Sequence, residues 1–282
     1  MSILQAIVLG IVQGLTEFLP ISSSGHLIIV PWLLDWHYLL EHPEFNKTFD
    51  VALHLGTFVA VVVYFWRDIL RLLAAWGRSI SRRRIDSPDG KVAWLIIVST
   101  IPAGIIGVAF EDLITNTLGK PWMIAALLVV FALVMLAVDR LARLDRQMDQ
   151  LTWLDALLIG AAQAAALAPG VSRSGVTMVA GLLLRLDRES AARYSFLMSI
   201  PAIGGAALYK GFDVARDGLP AGTQAAFAAG IVSAAVSGFV AIWFLLAYLR
   251  RHDFTIFVVY RFAVAAAMLG LILFGVRSAT GI

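Results

Sequence analysis

Residues 3–34 read ILQAIVLGIVQGLTEFLPISSSGHLIIVPWLL, and residues 156–184 read ALLIGAAQAAALAPGVSRSGVTMVAGLLL. Each is a pair of apolar arms around a polar, Gly/Pro-rich centre. Glu17, Pro20, Ser22-Ser23-Ser24-Gly25 and His26 break the first stretch. Pro169-Gly170 and Ser172-Arg173-Ser174-Gly175 break the second. A helix needs about 20 apolar residues to cross a ~30 Å hydrocarbon layer, and no arm is that long. Both stretches therefore read as re-entrant helical hairpins. Lipid tolerates such broken backbone only where protein buries it or where it lines a wet cavity.

Composition places the hairpins in a membrane protein. Of 282 residues, 60% are hydrophobic and 15% charged, and the mean hydropathy is +0.85. A soluble chain of this size cannot hide that much apolar surface. A soluble enzyme, a disordered chain and a nucleic-acid binder are excluded. Without cysteine there is no disulfide, zinc–thiolate site or thiol catalysis. Met1–Val12 lacks a basic start and does not read as a cleaved signal peptide.

Six further runs read as full spans, at about 51–66, 92–110, 121–138, 194–209, 222–249 and 254–276. The 67–91 link reads as one basic loop. Fifteen of the 22 Lys and Arg residues fall in 67–91, 139–155, 185–193 and 250–253, against five in the opposite loops. The positive-inside rule puts the first set in the cytoplasm. The net charge of +3 is thus a topology signal, and no nucleic-acid partner is expected. Arg173 and Arg261 fall inside apolar segments; Arg261 reads as a structural residue that snorkels or pairs across the bundle. His37 and His42 read as a solvated outer loop.

A shift of 150 aligns the hairpins: Gly10 with Gly160, Gln13 with Gln163, Ser22 with Ser172, Ser24 with Ser174, Gly25 with Gly175. Three spans follow each hairpin, so the second copy enters from the opposite side. The expected fold is an all-α polytopic membrane protein: one membrane domain, 1–282, built as an inverted repeat of about 1–150 and 151–282. Such repeats place a polar site at their interface near the midplane. Pro102 and Pro201, each in an Ile-Pro-Ala setting, suggest kinked spans. Gly10-x-x-x-Gly14 and Gly204-Gly205 permit close helix packing and are compatible with a homodimer, without arguing for one.

Gln13 and Glu17, four residues apart, face one side of a helix. Ser23 and His26, three apart, are spaced as a nucleophile and its base. Arg173, flanked by Ser172, Ser174, Gly170 and Gly175 at a helix start, suits phosphate: the guanidinium fork grips two oxygens and the helix N-terminus adds positive potential. Ser22 and Thr177 offer further hydroxyls, and His54 is a candidate for the mouth of the site. Glu17 with Gln13 could hold Mg²⁺ or Ca²⁺. The apolar setting points to a lipid phosphate.

These motifs resemble those of the undecaprenyl-diphosphate phosphatase family of the bacitracin-resistance type. The similarity runs from (Glu/Gln)-x-x-x-Glu at Gln13–Glu17, through Ser-Ser-x-Gly-His at Ser22–His26, to Pro-Gly-x-Ser-Arg-Ser-x-x-Thr at Pro169–Thr177. Many relatives carry Glu where this chain has Gln13. The resemblance implies hydrolysis of undecaprenyl diphosphate to undecaprenyl phosphate, recycling a lipid carrier for cell-wall synthesis. It also implies a divalent metal, membrane lipid surroundings, a bacterial cytoplasmic membrane and a site open to the extracytoplasmic side. In the expected chemistry Ser23 attacks phosphorus, His26 takes its proton, Glu17 holds metal or orients His26, and Arg173 clamps the diphosphate. His26 as nucleophile, or direct attack by water, stays open, as does a flippase for polyprenyl phosphates. A membrane scaffold would not need a buried Glu and Arg at broken-helix tips.

Overall fold

The computed structural model describes residues 1–36, 39, 42–109, 119–217 and 222–280, without the side chains of 43, 44, 107, 108 and 206–217. His37 and Phe110, the last residue of the second expected span, lie outside the described residues, as do the side chains of Lys210 and Arg216. Eleven α-helices, and no strand, occur among the described residues. The first hairpin is α1 (Ile3–Phe18) and α2 (Ser23–Leu34). Then come α3 (Pro43–Tyr64), α4 (Trp66–Ser81), α5 (Pro88–Ala109) and α6 (Pro121–Leu141). The second hairpin is α7 (Trp153–Gln163), a 3₁₀ turn (Ala164–Leu167) and α8 (Arg173–Leu183). Last come α9 (Arg188–Asp217), α10 (Gln224–Leu249) and α11 (Thr255–Leu273).

Helices α3, α5, α6, α10 and α11 are long and apolar enough to cross a membrane, and α9, 30 residues long, covers the remaining expected span. The protein is an all-α, multi-pass membrane protein. The hairpin arms are shorter: α1, with 16 residues, is about 24 Å long, and α8, with 11, about 17 Å. Apolar side chains such as Val232, Val236 and Trp243 on α10 and Val130 and Leu133 on α6 face outward. Gln13, Glu17, His26, Thr177 and Arg261 are buried within. Such an inside-out distribution is what a hydrocarbon solvent selects.

The 67–91 segment is not only a loop. Its first part is α4, because Ile69, Leu72, Leu73, Trp76 and Ile80 recur at three- and four-residue steps with arginines between them. Asp68 pairs with Arg71 and with Arg193 of α9, both at 2.9 Å, and Arg71 reaches Asp89 of α5 at 3.3 Å. These contacts pin α4 across the ends of α5 and α9.

Each hairpin is gripped by a helix from the other half of the chain. Helix α1 packs along α10, and α7 packs along α5. The aligned glycines make both approaches. A Cβ on Gly10 would stand 2.5 Å from Gly230 O, and one on Gly160 would stand 2.3 Å from Ser99 O. Gly14 also faces α10, 2.5 Å from Ala234 O by the same measure. Gly10-x-x-x-Gly14 is therefore spent on packing inside one chain.

Gly160→Val should lower the stability of the detergent-solubilised protein by about 1–3 kcal/mol or more, since the contacted atoms are backbone. Gly205→Ala, where a Cβ meets nothing within 4 Å, should not destabilise. Thermal unfolding followed by circular dichroism compares the two.

Candidate active site

The hairpins turn through matched, strained serines. Ser22 has φ +79° and Ser172 has φ +84°. Each caps the helix after it: Ser22 Oγ accepts from Gly25 N at 3.3 Å, and Ser172 Oγ accepts from Gly175 N at 3.2 Å. Left-handed backbone at a non-glycine residue costs about 1–3 kcal/mol and persists only where the surroundings enforce it. Here the two tips hold each other. Gly170 N donates to Ser22 Oγ at 2.9 Å, and Ser174 Oγ donates to Leu19 O at 3.1 Å.

Arg261 of α11 completes the lock. It is wholly buried, so it does not snorkel. Its guanidinium donates to Pro20 O in the first tip (3.1 Å), to Gly170 O (2.5 Å) and Val171 O (3.3 Å) in the second, and to Leu128 O of α6 (3.3 Å). Phe131 stacks beneath it, 5.0 Å from the ring centroid. The expected packing role holds, but through backbone carbonyls of both hairpins. The preceding residue adds a second tie: Tyr260 Oη donates to His26 Nε2 at 2.9 Å.

That tie changes the reading of His26. Its Nδ1 lies 2.7 Å from Ser22 O, a carbonyl that can only accept, so Nδ1 carries the proton and Nε2 takes the Tyr260 hydroxyl. Both ring nitrogens are occupied, and the expected Ser23–His26 pair does not form. Instead Ser23 Oγ donates to Glu17 Oε2 at 2.7 Å. The three-residue spacing is met, but His26 turns inward to brace the first tip.

Glu17 is the hub of the site. One oxygen is ion-paired with Arg173 of the second hairpin. The other accepts from Ser23 and, at 3.1 Å, from Gln13 Nε2, the predicted four-residue neighbour. His54 Nε2 stands 3.7 Å from that oxygen, while its Nδ1 donates to Asp50 O at 2.8 Å. In the neutral ring, Nε2 therefore presents a lone pair beside Glu17.

Glu17, Ser23, His54 and Arg173 line one cavity of about 490 Å³, walled by α3, α5 and α9 and by the 3₁₀ turn. The remaining hydroxyls expected to hold phosphate are directed elsewhere. Ser22, Ser172 and Ser174 are buried in the caps and tip contacts. Thr177 donates to Arg173 O at 2.8 Å and lies 2.7 Å from Ser195 Oγ. Gly175 serves the cap, and Gly170, at φ +107°, gives both N–H and C=O to the tip lock. Their short side chains satisfy the broken backbone, as a lipid-embedded turn demands. Ser24, the third serine of the first tip, also lines the cavity, as do Thr100 and Gln163, which no motif marked. The 150-residue alignment with Gln13 was the available signal for Gln163.

A profile of the family described as bacitracin resistance protein BacA matches residues 6–267. The chain belongs to that family. A relative from Moorella thermoacetica is 48% identical, over 96% of this chain and 98% of its own length. Relatives from Pelobacter propionicus and Rubrobacter xylanophilus are 45% and 44% identical, over 98% and 97% of this chain and 99% of each of theirs. All three carry the name undecaprenyl-diphosphatase. The BacA match takes in both hairpin tips, the whole cavity and Arg261.

Replacing Arg261 with Met strands carbonyls on both tips, at roughly 1–3 kcal/mol for each that finds no other donor. Arg261→Met should therefore melt well below wild type, and Arg261→Lys, with three donors in place of a five-donor fork, should fall between. Melting temperatures equal to wild type in both variants would show that the tips do not depend on this side chain.

Proposed function

We propose that this cavity hydrolyses undecaprenyl diphosphate to undecaprenyl phosphate and inorganic phosphate. The observation that carries the proposal is the meeting of three groups from two hairpins: a hydroxyl on a carboxylate (Ser23 on Glu17) and a guanidinium (Arg173) at the start of α8. Phosphoryl transfer needs a nucleophile, a proton acceptor and neutralisation of the phosphate charge. The names of the relatives supply the substrate.

In the mechanism, the diphosphate enters the cavity and Arg173 exchanges part of its pairing with Glu17 for phosphate oxygens. Ser23 Oγ attacks the terminal phosphorus as Glu17 takes its proton. The bond to the bridging oxygen breaks, and undecaprenyl phosphate leaves. Water then attacks the phosphoserine, phosphate departs and Ser23 is restored. His54 Nε2 stands beside Glu17 to hold the proton between the two steps. Without a hydroxyl that points at a proton acceptor, a lipid carrier site would bind an anion equally well; Ser23 on Glu17 favours hydrolysis over a flippase.

A divalent metal also belongs to this proposal. No cluster of three or more His, Cys, Asp or Glu stands together among the described residues, so a resident all-protein cage is not the fit. Glu17 is a hard oxygen donor, and Gln13, which turns its Nε2 to Glu17, leaves its Oε1 buried without a hydrogen-bond partner. Glu17, and Gln13 once its amide turns over, would be the residues to hold Mg²⁺ or Ca²⁺. When bound, the ion would neutralise diphosphate charge.

The location proposed is the bacterial cytoplasmic membrane, with the cavity open to the extracytoplasmic side. Val51 and His54 on α3, Thr100 on α5 and Ala202 on α9 line it. All lie near the middles of their helices, away from the basic ends at Arg67, Lys91 and Arg188.

Phosphate release by purified protein in detergent tests the reading. EDTA should abolish it and Mg²⁺ or Ca²⁺ restore it. Glu17→Gln should cost about 10²–10⁴-fold in kcat, and Arg173→Lys about 10- to 100-fold in kcat/KM. Ser23→Ala should be nearly inactive. Near-normal turnover by Ser23→Ala alongside a dead Glu17→Gln would move the nucleophile to water.

A further inference from the structure

The substrate of the proposed reaction carries a long apolar tail, and the cavity that takes its head opens toward the watery side. The tail needs an apolar exit. A second cavity of about 250 Å³ lies between α4, α5 and α9, and every residue lining it is apolar, Leu73, Trp76, Ile97, Leu197 and Ile200 among them. Pro201 lines both this groove and the site cavity.

The two Ile-Pro-Ala segments mark the boundary. On α5, Ile96 and Ile97 line the groove, whereas Thr100, Ala103 and Gly104, around Pro102, line the site. On α9, Leu197 and Ile200 precede Pro201 and line the groove, whereas Ala202 and Ile203 follow it and line the site. One cleft between two helices thus holds the site at one end and an all-apolar groove at the other, and the two meet at Pro201. The groove has a fixed wall, because Asp68, Arg71, Asp89 and Arg193 pin α4 over it.

We infer that this groove seats isoprene units of the lipid substrate beyond the first two, so that the chain threads from the head site past Pro201 toward the half of the bundle that carries the basic ends. The inference rests on the diphosphatase reading. Its physical warrant is continuity: Pro201 lines both cavities, so a chain that leaves the head site along α9 passes directly into the apolar groove. The apolar groove continues in the direction the head has travelled. The tail comes from lipid or detergent rather than from water, so seating it gains by packing against the groove walls, a gain open only to prenyl chains long enough to reach them.

The test fills the groove and compares chain lengths. Ile97 is 37% exposed, so Ile97→Trp is accommodated without repacking the core. The control is Ile105→Trp on the same helix, at a position 64% exposed and outside the groove. Phosphate release is measured from undecaprenyl diphosphate and from geranyl diphosphate, which has only two isoprene units. Ile97→Trp should raise KM for the undecaprenyl substrate about tenfold, equivalent to ~1.4 kcal/mol, with kcat retained and geranyl diphosphate kinetics unchanged. Ile105→Trp should match wild type on both. Unchanged undecaprenyl KM in Ile97→Trp would overturn the tail site and leave bulk lipid as the occupant of the groove. An equal rise for both substrates would overturn it too, by placing the effect on the head site. Wild-type protein that releases phosphate from neither substrate would sink the diphosphatase reading itself, and the tail site with it.

Discussion

A single buried guanidinium sets the geometry on which the site depends. Arg261 contributes no group to the cavity, yet it draws together the carbonyls of Pro20, Gly170 and Val171, which end the first arms of two separate hairpins. Desolvating a cation is expensive. Four carbonyl partners and the face of Phe131 offset it. The same contacts satisfy carbonyls that a broken helix would otherwise leave bare at membrane depth. Neither charge nor carbonyls could be buried alone. The strained φ values of Ser22 and Ser172 are held by this mutual requirement, and the residues that follow them are Ser23 and Arg173.

Position then follows from packing at longer range. Helix α1 carries Glu17 and is seated on α10, while α7 leads to Arg173 and is seated on α5. Glycines at aligned positions let backbone meet backbone in both cases. Each half of the chain therefore positions the tip of the hairpin contributed by the other, and the cavity forms where the tips meet. A small shift at either seat would separate Glu17 from Arg173. Both seats are made against main chain, which cannot adjust as a flexible side chain can.

Much of this was legible in the sequence. The short arms, the polar tips and the 150-residue alignment point to two hairpins, and Gln13, Glu17 and Arg173 meet as their spacing and charge suggest. Local patterns report local geometry, and they misled where partners lie far along the chain. Ser23 and His26 have helical spacing, but Tyr260, more than 230 residues away, claims the imidazole. Ser172, Ser174 and Thr177 look like a phosphate cradle, yet the backbone and Ser195 claim their hydroxyls first. Arg261 stood out as a charge in an apolar run, but nothing nearby in sequence names its carbonyl partners. The basic stretch after Trp66 hid an amphipathic helix because its arginines dominate the composition, while its apolar residues matter only at their periodicity.

The resting pairing of Glu17 with Arg173 gives the two charges a shared solution to burial. In the proposed mechanism it also makes substrate binding and chemistry depend on each other. A carboxylate at this depth needs a counter-charge, and a guanidinium needs an anion. If a diphosphate supplied the anion, Arg173 would have a better partner, and Glu17 would lose its strongest donor. Of the donors left on the carboxylate, Gln13 has no proton to transfer, whereas Ser23 has one. The exchange of partners would thus leave Glu17 to the serine only once phosphate is in place. Water entering an empty cavity, carrying no charge to draw Arg173 away, would leave the pair closed. Selection for an anionic substrate would then come from the same ion pair that lets the site fold.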